Sequence, residues 1–170
     1  MYWEAAKIKE AANQVFWNPE TGRFLVAVDA DQKRWDVGCT LINLEVVAGG
    51  LATEEHAKSV MDWISGRRIV EGDTSTGEDI YAFRFAPRIT TKRNIDYYYW
   101  GWSSPENIPF GNQIQDGGAA LAFAYFDLIS RLSVYGAENA WQRMKELLTW
   151  FEDVQKEGGY ASYYANRGMT

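Results

Sequence analysis

Apolar side chains return at helical spacing along the first third of the chain. Residues 3–17 have apolar positions every three or four residues, which predicts an amphipathic helix. Residues 37–49 are apolar on nearly every side and carry one charge, Glu45, so we expect a helix that is buried all round. Residues 53–64 have a single apolar face, and Thr53 is placed to cap that helix. The pattern predicts a mainly all-α chain.

The second half of the chain repeats this arrangement. The sequence after Asp116-Gly117-Gly118 is again apolar on nearly all sides and predicts a second buried helix, just as Asp36-Val37-Gly38 precedes the first. Residues 137–154 then predict an outer helix with one apolar stripe, formed by Trp141, Met144, Leu148 and Phe151. A buried helix followed by an amphipathic one is therefore a weak internal repeat.

Two stretches interrupt the helical pattern. Residues 18–22 have the composition of a tight turn, and residues 24–28 and 34–35 predict a short β-hairpin around a polar tip. Residues 65–112 show no long period and contain repeated glycine and proline. A connection of that length in a compact domain is usually functional or disordered, and its density of aromatic residues favours an ordered, functional loop.

The composition narrows the classes of partner. The chain has 170 residues, of which 46% are hydrophobic, enough for one domain with one core. Its net charge of −6 argues weakly against nucleic acid or an anionic membrane, and no apolar run reaches the ~18 residues of a membrane span. The N-terminus lacks the apolar segment of a secretory signal, so we expect a soluble protein whose location stays open. One cysteine and one histidine leave no set of ligands for a structural zinc, and we predict neither a metal nor a cofactor.

Three segments carry a resemblance to a known group of enzymes. The sequences WDVGCTLINLE (35–45), GRRIVEGDTSTGEDIYAFRFAPRITTKR (66–93) and QIQDGGAALAFAYFDLISRL (113–132) resemble bacterial six-hairpin glycosidases. The resemblance implies a toroid of helical hairpins, the (α/α)6 fold, which has about a dozen helices where this chain predicts about five. The chain would be a fragment of a larger catalytic domain, one product of a split gene, or an abridged fold that forms a homo-oligomer. We favour a fragment, whose exposed inner helices the remainder of the toroid would cover.

The resemblance also implies a reaction. Inverting glycoside hydrolases use one carboxylic acid to protonate the leaving oxygen and one carboxylate to activate water. The candidates are Asp36 and Asp116, which precede the two buried helices, and Glu106, which lies in an aromatic loop where desolvation would raise its pKa. Each has a structural alternative: Asp36 and Asp116 as helix N-caps, and Glu106 as an ordinary loop carboxylate.

Candidate ligand-binding residues follow from the same hypothesis. Rings with a polar tip suit the faces of an oligosaccharide or glycoside, and the candidates are Tyr97, Tyr98, Tyr99, Trp100 and Trp102, although core packing would use similar residues. Arg88 is a candidate for binding an acidic sugar or phosphate, which keeps a phosphorylase-like reaction open. Alternatively, Arg88 or Arg84 pairs with the buried Glu45. A non-catalytic carbohydrate-binding or assembly module is the other function that the sequence allows.

Overall fold

The described part of the chain is mainly helical. The computed structural model describes residues 2–93 and 105–169, which form six α-helices, three short 3-10 turns and two small β-ribbons. The α-helices are α1 (Tyr2–Val15), α2 (Thr40–Ala48), α3 (Glu54–Ile64), α4 (Ala124–Tyr135), α5 (Ala137–Lys156) and α6 (Tyr160–Ala165). The 3-10 turns are Gly77–Tyr81, Pro105–Asn107 and Leu121–Phe123. This confirms the mainly α-helical class, whereas a partial (α/α)6 toroid stays a prediction.

The two ribbons follow α1. Strand β1 (Trp17–Asn18) pairs antiparallel with β2 (Arg23–Phe24), and β3 (Ala27–Val28) pairs antiparallel with β4 (Arg34–Trp35). The predicted turn is present, because the Gly22 amide donates to the Asn18 carbonyl at 2.8 Å. The expected strand 24–28 is divided, because Phe24 pairs with the preceding strand β1, whereas Ala27 and Val28 pair with the following strand β4.

Helices α2 and α3 build the first core. Leu44, Met61, Trp63 and Ile64 are buried together there, and the Thr53 hydroxyl caps α3 by accepting from the His56 amide at 3.1 Å. Helix α2 packs against α3 and α4, which leaves its remaining side open to solvent. Burial on all sides was therefore a wrong prediction for α2, as the exposed Glu45 shows.

The ion pair predicted for Glu45 was also wrong. Arg84 pairs with Asp153 at 2.9 Å, and Arg88 pairs with Asp79 at 3.3 Å. An exposed carboxylate stays hydrated, so Glu45 needs no buried partner.

Helices α4 to α6 build the second core, and there the inward face differs from the predicted one. Arg143, Trp150 and Val154 of α5 are buried. The four residues of the predicted stripe are 40–55% exposed: Trp141, Met144, Leu148 and Phe151. Helix α4 likewise exposes Tyr125 and Leu132, so it is not buried all round. On the inward side of α5, Arg143 instead forms a buried ion pair with Asp127 of α4 at 3.0 Å.

An extended segment, residues 88–93, connects the two halves. Its Ile89 carbonyl accepts from the Thr40 amide at 2.8 Å, and its Ile89 amide donates to the Gly118 carbonyl at 2.7 Å. The residues that lead into α2 and those that lead towards α4 therefore lie on either side of one segment. The two Asp-containing repeats are neighbours in space, although neither aspartate caps its helix: the N-cap of α2 is Cys39, and α4 begins eight residues after Asp116.

None of the helices in the described ranges has both the length and the apolar character that crossing a bilayer requires.

Candidate functional site

An aromatic cleft of about 500 Å³ opens between α6, the residues around Phe83 and the loop 110–119. That volume falls in the usual range for small-molecule sites. The walls are mainly rings and small apolar groups, with one guanidinium: Phe83, Arg88, Phe110, Ile114, Tyr160 and Tyr164. The cleft is suited to a ligand that has an apolar face and a few polar groups.

Two glycines give the cleft its shape. A Cβ atom on Gly117 would lie 2.2 Å from the Phe110 ring, and one on Gly111 would lie 2.7 Å from Arg88 Nη1. Both glycines also have positive φ, 81° and 97°, which L side chains rarely adopt. The ring and the guanidinium can therefore approach the backbone only because these positions are glycine.

Arg88 is held firmly in the wall of the cleft. It is 8% exposed, and it donates to the Gly117 carbonyl through Nη1 at 2.7 Å and to the Asp79 carbonyl through Nε at 3.1 Å. Its guanidinium carbon lies 5.2 Å from the ring centres of both Phe83 and Phe110. The predicted binding residue is thus a buried cation between two aromatic rings.

Two tyrosines of α6 form the opposite wall. The Tyr164 hydroxyl donates to the Phe83 carbonyl and accepts from Trp150 Nε1, and burial raises the pKa of Tyr164 to about 12, so it stays neutral. Tyr160 is 59% exposed and packs against Tyr164 with ring centres 4.8 Å apart. Among the described residues, neither the Tyr160 hydroxyl nor the side-chain carboxamide of Asn112 has a hydrogen-bond partner, so both polar groups are available to a ligand.

Asp36, a predicted catalytic residue, belongs to a structural network. Its Oδ1 accepts from Arg23 Nε at 2.7 Å and from the Gly38 amide at 3.1 Å. Its Oδ2 accepts from Thr21 at 2.7 Å and from Asn18 at 3.0 Å. Burial raises its pKa, but the charge of Arg23 and these hydrogen bonds outweigh burial and leave the pKa lowered. All four acceptor sites are occupied, so we do not retain Asp36 as a catalytic candidate.

Asp116 is in the opposite situation. Its side chain is 1% exposed, and neither carboxylate oxygen accepts a hydrogen bond from any residue that the structure describes. Burial raises its pKa, and the charge of Arg93, whose Nε lies 3.3 Å from Oδ2, only partly opposes that effect. This carboxyl group has the character of a proton donor rather than of an anchored carboxylate.

The loop that holds Glu106 lies near Asp116. Arg93 reaches both, because its Nη2 donates to the Ile108 carbonyl while its Nε faces Asp116. Glu106 is exposed in the 3-10 turn two residues earlier. The fold therefore brings the segments of Glu106 and Asp116 together and assigns Asp36 to the ion pair with Arg23. The five predicted stacking residues, Tyr97, Tyr98, Tyr99, Trp100 and Trp102, lie outside the described residues.

The sequence hypothesis missed most of the cleft. Phe110 and Asn112 lie in a Pro-Phe-Gly-Asn loop, and Tyr160 follows two glycines after α5. Glycines beside aromatic residues were the available signal, since they let rings approach the backbone.

Over residues 2–93 and 105–169, no cluster of three His, Cys, Asp or Glu side chains could hold a metal ion.

Comparison of the chain with protein-family models, with curated proteins and with solved structures gives no significant match. The likeness to six-hairpin glycosidases, which depends on the three sequence segments, therefore stays a prediction.

Proposed function

We propose that the chain is a carbohydrate-binding unit that holds a sugar in the cleft between Phe110 and Tyr160. The observation that carries the proposal is the pairing of exposed ring surface with unpaired polar groups. A pyranose has apolar C–H faces and a rim of hydroxyls, so it matches a site that offers both. The side-chain carboxamide of Asn112 and the hydroxyl of Tyr160 would hydrogen-bond to the sugar hydroxyls, while the aromatic faces cover the C–H bonds.

The experiment compares two exposed tyrosines. Tyr160→Ala removes a ring of the cleft, and Tyr125→Ala removes a ring of similar exposure (63%) on α4 that does not line the cleft. Binding of a panel of methyl glycosides and oligosaccharides is measured by calorimetry and saturation-transfer NMR. We expect at least one ligand with a millimolar Kd, about tenfold weaker binding in Tyr160→Ala, and unchanged binding in Tyr125→Ala. No binding to the parent protein, or equal losses in both variants, contradicts the proposal.

Glycoside hydrolysis is the second candidate function, and the buried Asp116 favours it, because burial raises the pKa of this carboxyl group. In this hypothesis Asp116 is the general acid and Glu106 the base that activates water, as an inverting mechanism requires. Asp116 is covered in this conformation, so a glycosidic oxygen reaches it only after the site opens. This requirement makes binding the better supported function of the two.

Release of reducing sugar tests the second candidate. We expect Asp116→Asn and Glu106→Gln each to reduce hydrolysis by about 100-fold or more, the usual loss on removing a general acid or base. Asp31→Asn, at the exposed tip of the β3–β4 ribbon, serves as the control. Parallel reactions with and without inorganic phosphate separate hydrolysis from a phosphorylase-like transfer. If the parent protein binds a sugar but releases no reducing sugar from it, hydrolysis is wrong and binding remains the function.

A further inference from the structure

We infer that the ligand of the aromatic cleft is an acidic sugar, a uronic acid, whose carboxylate pairs with Arg88. This inference depends on the proposed sugar binding and specifies the class of ligand. It starts from the charge of the cleft wall. Among the described residues that line the cleft, Arg88 is the sole charged side chain, so a bound sugar meets a positive group and no carboxylate.

The partners of Arg88 leave part of its hydrogen-bonding capacity unused. A guanidinium has five N–H donors, and Arg88 uses three of them, for the Gly117 carbonyl, the Asp79 carbonyl and Asp79 Oδ1. One N–H on each terminal nitrogen then has no partner within the described part of the chain. A carboxylate can accept two parallel N–H bonds from the terminal nitrogens of an arginine, and Arg88 has one remaining donor on each of these nitrogens.

The pairing with Asp79 does not neutralise Arg88 within the cleft. Asp79 is half-exposed, lies 3.3 Å from one terminal nitrogen only, and does not belong to the lining of the cleft. Its charge is therefore largely screened by water, whereas the guanidinium is buried between Phe83 and Phe110. An anion that enters the cleft interacts with Arg88 at lower local dielectric than Asp79 does.

A neutral sugar would leave this arginine poorly satisfied. The hydroxymethyl group of the neutral sugar offers one uncharged oxygen where a carboxylate offers two charged ones, so it cannot form the two parallel bonds to the guanidinium. Sites built for a charged or polar group discriminate strongly against analogues that lack it for this reason. The expected preference for a uronate over the matched neutral sugar is therefore about tenfold or more in Kd, the effect of one charge-assisted hydrogen bond.

Three matched ligands test the inference on the unaltered protein. Methyl glucuronide, its uronamide and methyl glucoside differ only in the group at C6, and the galacturonic series is measured in parallel. We expect the uronate to bind at least tenfold more tightly than the neutral uronamide and glucoside. Arg88→Gln should remove the preference and leave the weak binding of neutral sugars, with circular dichroism and thermal unfolding to show that the variant folds.

The outcomes separate the two proposals. If neutral sugars bind as tightly as uronates in both series, the acidic-sugar inference is wrong and sugar binding stands. If no sugar of either kind binds, the proposed function is wrong and the inference with it. If Arg88→Gln does not fold, the comparison of the uronate with the uronamide on the parent protein still decides the question.

Discussion

Two buried charge clusters of opposite composition stabilise the two halves of the molecule, one beside α2 and α3 and the other between α4 and α5. In the first half Arg23 lies between two aspartates, Asp36 and Asp73, at 2.7 Å from each. In the second half Asp127 lies between two arginines, Arg131 at 2.9 Å and Arg143 at 3.0 Å. The first cluster has one cation and two anions, and the second has the reverse.

Each cluster joins several segments of the chain through one charged side chain at its centre. Arg23 of β2 binds Asp36, which precedes α2, and Asp73, which also accepts from Trp63 of α3 at 3.0 Å and from Thr91 at 2.8 Å. The first cluster therefore fixes the ribbon, α3 and the segment 88–93 around the start of α2.

The second cluster joins α4 and α5 to the turn Gly77–Tyr81. The Tyr81 hydroxyl donates to Asp127 at 2.9 Å and accepts from Arg131 at 2.8 Å, while Arg143 donates to the Arg84 carbonyl at 2.8 Å. Burial, followed by the charge of Asp127, raises the pKa of Tyr81, so this hydroxyl remains neutral and bridges the two ions.

The difference in composition gives the clusters different responses to acid. Carboxylates that lose their partner can be neutralised by protons, whereas an arginine cannot be deprotonated in a protein. The repulsion between carboxylates that follows loss of Arg23 can thus be relieved at low pH, whereas the repulsion between arginines that follows loss of Asp127 cannot.

The largest effect is expected from Arg23→Met. The variant leaves two neighbouring carboxylates without their cation, and breaking a buried pair in this way costs roughly 3–5 kcal/mol of unfolding free energy at neutral pH. The deficit relative to the parent should shrink as the pH falls, because protonation removes the negative charge that the variant leaves without a partner. Urea unfolding from pH 7 to pH 4 measures it, with the exposed Arg67→Met as control. A deficit that stays constant with pH contradicts the proposed role of Arg23.

Asp127→Asn should have the next largest effect, about 3 kcal/mol, because the amide keeps some hydrogen bonds but removes the charge between the two arginines. Here the deficit should stay nearly constant between pH 7 and pH 5, because Arg131 and Arg143 keep their charges and no proton can relieve their repulsion. The same urea series decides the point, and Asp153→Asn, in the more exposed pair with Arg84, is the control. A recovery between pH 7 and pH 5 as large as that of Arg23→Met would remove the distinction between the clusters.

Asp36→Asn should cost less, roughly 1.5–3 kcal/mol, the range for hydrogen bonds to a charged group. The folded-state pKa of Asp36 is lowered, so its contribution to stability is present above the ordinary aspartate value of 3.8 and is lost as the pH falls through the lower folded value. The deficit of the variant should therefore be largest at neutral pH and disappear in acid. Urea unfolding of Asp31→Asn, at an exposed position, is the control and should show the same stability as the parent across this pH range.

The sequence predicted helices better than it predicted their inward faces. The segments of α2, α3 and α5, the cap at Thr53 and the turn at 18–22 all follow from local preferences, which act within a few residues. The exposure of the apolar stripe of α5 does not follow from local preferences. It depends on the buried Arg143, whose partners, Asp127 of α4 and the Arg84 carbonyl, are distant in the sequence. Periodicity identifies an apolar face but not the ion pairs that compete with it for the interior.

The candidate site was predictable to a similar extent. The motifs around Asp36 and Asp116, which the internal repeat relates to each other, are neighbours across residues 88–93. Their opposite chemistry could not be predicted, since both occur as an aspartate two residues before a glycine. The difference depends on whether Arg23 or Arg93 approaches the carboxylate with hydrogen-bonding geometry, and that is a property of the tertiary fold.

Asp116→Asn should have the smallest effect and the opposite sign of pH dependence to Asp36→Asn. Because burial raises the folded-state pKa of Asp116, the stability it contributes is fully present below 3.8 and is lost as the pH rises through the folded value. The variant should therefore gain on the parent, by on the order of 1 kcal/mol, as the pH rises from 4 to 8, since the amide never ionises. Urea unfolding of both proteins across this range measures the gain. A loss at neutral pH as large as that of Asp36→Asn would mean that the contact between Asp116 and Arg93 stabilises the fold as the two charge clusters do, and Asp116 would then no longer be a candidate proton donor.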